Sequence, residues 1–356
     1  MAPNGTSAVG AQPYTEEQLD FCRRLPKVER HAHLNGSVRQ STLQELYKKT
    51  SEGTSTSSAA SVAIAKGDTR NLSEMFAVFG VVHHVVRGAE LLTRVTREVL
   101  EDMSADGVVY AELRTTPREH QDVGLDKRAY IEAVLQGIEE HRRLAKDGVC
   151  IARLILSIDR KDPVTVAEDT VNLAIEYSNR GVVGLDLCGD PALGWGRWRQ
   201  DWEPAFERGR KQAGLKVTLH AAEMAGMDEE MADMLAWGPD SLGHVCFLSP
   251  GEELRLFESR TPVELCLSSN VLSKSVESYS AHHFGRFLER GHPLAICTDD
   301  VLVFSSPLSR EYALAMSTFG LDEAKVTDLA RDAFETSFLE KGRDYNEVLA
   351  RLRAPS

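Results

Sequence analysis

Eight short apolar runs separated by helical patterns constrain this chain more than any other feature. They are Lys27–His33, Gly107–Arg114, Cys150–Ile158, Val182–Leu187, Leu215–His220, Ser241–Val245, Pro262–Leu267 and Pro293–Thr298. Several, such as Ile151-Ala152-Arg153-Leu154-Ile155-Leu156, are apolar nearly throughout, as strands are when both faces of a sheet are covered. Segments with helical periodicity lie between them, among them Ala89–Met103, Arg128–Ala145 and Thr165–Asn179. Eight strand–helix alternations in 356 residues predict an α/β fold of one domain, a (β/α)8 TIM-type barrel with helical additions. The expected barrel covers 21–350. Residues 1–20 read as a flexible N-terminal tail, and a Ser-, Thr- and Ala-rich stretch at about 50–66 reads as a flexible insertion after the first strand.

Composition narrows the function classes. No apolar run approaches the roughly 18 residues of a membrane span. The N-terminus lacks the basic start and apolar core of a secretion signal. The six cysteines are scattered with no framework spacing, as buried thiols of a reducing compartment are, so the expectation is a cytosolic protein. A net charge of −13 argues against general nucleic-acid binding. It leaves room for an anionic small molecule, because a local pocket can be positive on an acidic protein.

In a parallel barrel the chemistry sits at the C-terminal ends of the strands. The first run ends His31-Ala32-His33 inside HAHLNGS, and in a strand residues i and i+2 face the same way. The others end Glu112-Leu113-Arg114, Ser157-Ile158-Asp159, Asp186-Leu187-Cys188-Gly189, His220-Ala221-Ala222-Glu223, Gly243-His244, Ser268-Ser269-Asn270 and Thr298-Asp299-Asp300. Three imidazoles and one carboxylate, His31, His33, His220 and Asp299, form a ligand set for one catalytic Zn²⁺. Zinc lowers the pKa of its water to about 7 and so supplies a nucleophile at neutral pH. His244 and Asp300 are placed to orient or deprotonate that water, and Glu223 to serve as general acid. The competing structural readings make Glu223 a helix-start carboxylate and Asp300 an N-cap. His83-His84 and His282-His283 read as surface or packing histidines, with only His83 a further site candidate.

With HAHLNGS, HAAE, LGH and CTDD in this order, the chain resembles the adenosine deaminase superfamily from about Leu25 to about Phe338. The resemblance implies that Glu223 protonates purine N1 while His244 and Asp300 manage the water that attacks C6. It also implies substrate contacts from His33, Asn35, His83, the loop Arg114-Thr115-Thr116-Pro117, Asp159, Gly189 and Asp300. Members acting on adenosine usually carry Asp at the position of Asn35. A neutral Asn can donate to a 5′-phosphate that an Asp would repel. Arg114-Thr115-Thr116-Pro117 offers two hydroxyls and a guanidinium suited to phosphate. These features, with Gly189-Asp190-Pro191, Phe284 and the run Leu265–Asn270, resemble the adenosine deaminase-like branch, which releases methylamine from N6-methyl-AMP and leaves IMP.

The alternative is an adenosine deaminase, and beyond it an inactive purine-binding relative, although every expected position is filled. No lysine lies between Val182 and Trp198 to bridge two metals, so one ion is expected. Three positions depart from the family pattern. Arg30 replaces an apolar residue and is expected to face the helices with its head reaching solvent. Val245 crowds the turn after His244. Val301-Leu302 resembles the adenosine branch and is expected to border the pocket. The expected ligand is a small purine nucleotide or nucleoside, bound by a monomer with no membrane partner.

Overall fold

The computed structural model describes residues 13–50, 72–144 and 149–354. All eight apolar runs form strands: β1 (Lys27–His33), β2 (Val108–Thr115), β3 (Ile151–Asp159), β4 (Val182–Cys188), β5 (Lys216–Ala221), β6 (Ser241–His244), β7 (Val263–Leu265) and β8 (Leu294–Ile296). They pair in parallel in the order β1 to β8 with helices between them, a (β/α)8 barrel. β7 and β8 are shorter than the apolar runs that contain them. Pro262 and Pro293 have no N–H to give a ladder, so they stay outside these strands and lend only their carbonyls, to Leu242 and Val263.

The barrel closes between β8 and β1 at the level of the candidate ligands. Asp299 donates its backbone N–H to the His31 carbonyl at 2.8 Å, and His33 donates to the Asp299 carbonyl at 3.0 Å. Below this seam the buried Glu29 carboxylate accepts from the His31 N–H at 2.7 Å and from the Thr298 N–H and hydroxyl at 3.1 and 2.8 Å. One carboxylate thus ties the first strand to the last.

Two expectations change here. The helix Glu16–Arg24 starts inside the stretch read as a tail; a Thr15–Gln18 capping box fixes its start, and it buries Leu19, Phe21 and Cys22. Residues 1–12 and the insertion expected at about 50–66 lie outside the described residues. Arg30 does not reach solvent. β1 is irregular between Glu29 and Ala32, where three residues pass two of β2, and the guanidinium stays fully buried. It lies 3.4 Å from Glu112, 3.8 Å from Glu264 and 2.6 Å from the Thr336 hydroxyl, and over the Phe338 ring. Two carboxylates in place make burial of this charge tolerable.

Candidate metal centre and active site

His31 and His33 project from β1, His220 from β5 and Asp299 from the end of β8, and their four ligand atoms lie within 4.8 Å of one another. His31 and His33 each place Nε2 3.1 Å from Nε2 of His220, and lie 3.6 and 3.4 Å from Oδ1 of Asp299. Separate buried groups hold two of these rings. Nδ1 of His31 meets Glu264 Oε2 at 2.8 Å, and Nδ1 of His220 meets Asp186 Oδ1 at 2.9 Å, so each points Nε2 at the centre. The Ser269 hydroxyl donates to Asp299 Oδ2 at 2.7 Å, leaving Oδ1 inward. Burial keeps the His33 imidazole neutral, pushing it down to about 3, and holds His31 well below its ordinary range. Burial opposes charging His220 as well, but the Asp186 carboxylate outweighs it and raises that group. Three convergent nitrogens, one carboxylate and outer partners on two rings fit what a zinc ion requires.

Around this cluster lies a cavity of about 360 Å³. Glu223, His244 and Asp300 all line it. Glu223 is buried with Oε1 unpartnered, and its Oε2 lies 3.8 Å from His244 Nε2. Asp300 is buried with Oδ1 unpartnered; burial and the neighbouring Asp299 charge raise its pKa well above the usual carboxylate range. Both residues line the cavity, and these oxygens have no hydrogen-bond partner among the described residues. Four non-glycine residues at the strand ends adopt the left-handed region: Ala222 (φ 48°), His244 (65°), Val245 (47°) and Asp299 (62°). For the β-branched Val245 this is the crowding expected from its sequence, and such strain gathers where side chains must be aimed.

His33, Asn35, His83, Thr115, Thr116, Asp159 and Gly189 also line the cavity, whereas the buried Pro117 does not. Asn35 donates to the Tyr130 hydroxyl at 3.2 Å, which in turn bonds Thr115 at 2.7 Å. Arg114 is a correction. It borders the cavity, but its guanidinium is fully buried, 2.8 Å from Glu264, 3.4 Å from Asp186 and 2.7 Å from the Arg30 carbonyl. It neutralises the carboxylates that steer His31 and His220 and cannot turn to a phosphate. Gly189 (φ 100°) is also needed for a neighbour: a Cβ there would lie 2.3 Å from Asp159 Oδ1. Val303 and Phe304 line the cavity rather than Val301-Leu302.

Reading the strand ends missed Glu264, Arg118 and Tyr130. Glu264 had a signal, since it is a lone charge in the apolar run Pro262–Leu267. Arg118 lines the cavity with no ion-pair partner among the described residues, and its Nε is buried without a hydrogen bond. Beside it, burial and then the Arg118 and Lys161 charges push His83 down to about 3. Of the two readings for His282 and His283, surface or packing, the structure bears out packing. They are buried, stacked at 4.2 Å, and outside the metal cluster.

A parallel barrel with three histidines and an aspartate converging at its C-terminal rim, and free carboxylates beside them, defines a metal-dependent hydrolase. The family model described as adenosine deaminase matches residues 26–353, and the chain belongs to that family. It is therefore a deaminase, a hydrolase of C–N bonds. Among its relatives, the N6-mAMP deaminase of Arabidopsis thaliana is 40% identical over 94% of this chain and 97% of the relative. The N6-methyl-AMP deaminase of Danio rerio is 42% identical over 91% and 93%. The solved structure of Arabidopsis ADAL complexed with IMP superposes with a TM-score of 0.86 at 39% identity, over 94% of this chain and 97% of that one.

Proposed function

We propose that the protein is a zinc-dependent aminohydrolase that converts N6-methyl-AMP and water to IMP and methylamine. We further propose a cytosolic monomer with one ion held by His31, His33, His220 and Asp299. The ion supplies Lewis acidity when bound, lowering the pKa of water at the site. Glu223 gives a proton to purine N1, His244 and Asp300 hold the attacking water at C6, and methylamine leaves. His33, Asn35, His83, Thr115, Thr116, Asp159 and Gly189 surround the nucleotide.

The single observation that carries the nucleotide reading is the unpaired Arg118 guanidinium at the cavity wall. Arg118 has no carboxylate partner among the described residues, whereas Lys161 of the same cavity is paired with Asp159 at 2.7 Å and burial keeps His83 neutral. A guanidinium without a partner is suited to the phosphate that distinguishes AMP from adenosine. The relatives named for N6-methyl-AMP and the IMP-bound structure support the same substrate.

The test compares N6-methyl-AMP, AMP and adenosine as substrates of the zinc-loaded protein and of Arg118→Gln. N6-methyl-AMP should be preferred. A lost charge-assisted bond of about 1.5–3 kcal/mol should raise KM for the nucleotides about 10- to 100-fold, with kcat little changed and adenosine unaffected. Preference for adenosine by the wild type would overturn the reading.

A further inference from the structure

His244 lies opposite the ligand cluster, and its ring can either take a proton from the attacking water or donate a hydrogen bond to it. Which it does depends on the nitrogen that carries the proton, and a chain of buried contacts decides this. The chain starts at a backbone group that can only donate: the Phe284 N–H meets His282 Nδ1 at 3.0 Å. Nδ1 of His282 is therefore bare, and the neutral ring carries its proton on Nε2. That Nε2–H lies 3.1 Å from Asn270 Oδ1, which accepts it. The Asn270 amide is thereby oriented, and its Nδ2–H faces His244 Nδ1 at 3.0 Å. A proton on His244 Nδ1 would collide with it.

We infer that Asn270 and His282 are positioning residues that lock His244 in its Nε2–H tautomer, so that His244 donates to the attacking oxygen and does not take its proton. The role rests on the deaminase reading above. The proton lost by the water then goes to a carboxylate of the cavity, where Glu223, Asp299 and Asp300 all lie. All members of the chain are buried: His244 is 3% exposed, Asn270 2% and His282 3%, so water does not compete for these bonds. Burial also holds His282 well below its ordinary range, as a ring with one bare nitrogen requires. His283, stacked on His282, bonds the His244 carbonyl through Nε2 at 2.7 Å and so secures the left-handed turn that aims the ring. The other titratable groups facing His244 are Glu223, Asp299, His31 and His220.

The test is a long-range proton–nitrogen correlation spectrum of the full chain, zinc-loaded, labelled with ¹⁵N-histidine and free of substrate. The His244 signals are assigned by their loss in His244→Gln. Expected are a protonated Nε2 and a bare Nδ1. In Asn270→Asp the carboxylate accepts from both neighbours, so the proton should move to Nδ1. With the donor lost, kcat should fall ~10²-fold or more with KM little changed. His282→Gln, which keeps an N–H toward Asn270, should retain most activity that His282→Leu loses. A wild-type His244 protonated on Nδ1 overturns the inference, as does Asn270→Asp with tautomer and kcat unchanged. The wild-type spectrum decides alone if that variant does not fold. It needs no turnover, so a protein that ignores N6-methyl-AMP yet shows Nε2–H refutes the substrate and leaves the tautomer standing.

Discussion

Replacing Gly36 by alanine should disable catalysis while leaving the metal site intact. A Cβ on Gly36 would stand 1.5 Å from Asp300 Oδ1, 2.4 Å from its Cγ and 2.8 Å from its Cβ. Real Cβ contacts essentially never fall below 3.0 Å, so the carboxylate must move by roughly 1.5 Å. A misplacement of about 1 Å at a reacting centre can cost about 10²-fold, or about 2.7 kcal/mol in the barrier. Overpacking adds a stability loss of about 1–3 kcal/mol. His31, His33, His220 and Asp299 are not the groups the methyl meets, so bound zinc should stay near one per chain. The assay is kcat/KM on N6-methyl-AMP alongside metal content and thermal unfolding. A second arm places Gly36→Ala in an Asp300→Gly background, where it should cost no more than about 2-fold, because every Asp300 atom it meets is already gone. A Gly36→Ala enzyme within 3-fold of wild type would refute the reasoning, as would a full additional loss in the double variant.

Glu264→Gln should weaken zinc binding about 10- to 100-fold in chelator competition, because His31 loses the carboxylate that orients it and Arg114 loses its closest ion-pair partner. Unchanged affinity would remove Glu264 from the metal site. Lys27 is fully buried among the carbonyls of Cys22, Leu25 and Asp106, and burial lowers its pKa from 10.5 to about 8. Between these values the unfolded chain binds a proton that the folded one does not, so this residue's contribution to stability rises with pH, by about 3 kcal/mol in all. Wild-type stability measured relative to Lys27→Met should therefore climb from pH 8 to 10.5, and a flat difference would contradict the shift.

How much of the site was legible depended on where each residue's partner lay. The convergence of His31, His33, His220 and Asp299, with Glu223, His244 and Asp300 beside them, was readable because a parallel barrel gathers its strand ends, so position along the chain maps onto position in space. Arg114 was misjudged for the same reason in reverse. A guanidinium at a strand end reads as a ligand-binding group until Glu264 and Asp186, far away in sequence, are found to occupy it. His282-His283 carries no spacing signal at all, and only its contacts with Asn270 and His244 connect it to the centre.

HAHLNGS shows the division most clearly. Alternation of side chains along a strand was enough to place His31 and His33 on one face, and the Asn-Gly-Ser after them reads as a turn. Turn chemistry alone would let many residues replace that glycine. The tertiary structure decides otherwise, because Asp300 comes back from the last strand and packs on Gly36 with no room for a methyl group. Local periodicity is written in the covalent chain, and so the sequence determines strands, helices, the barrel and its catalytic rim. Which charges cancel, which nitrogen carries a proton and which glycine must stay bare are set by contacts between distant segments, and those exist only once the barrel has closed.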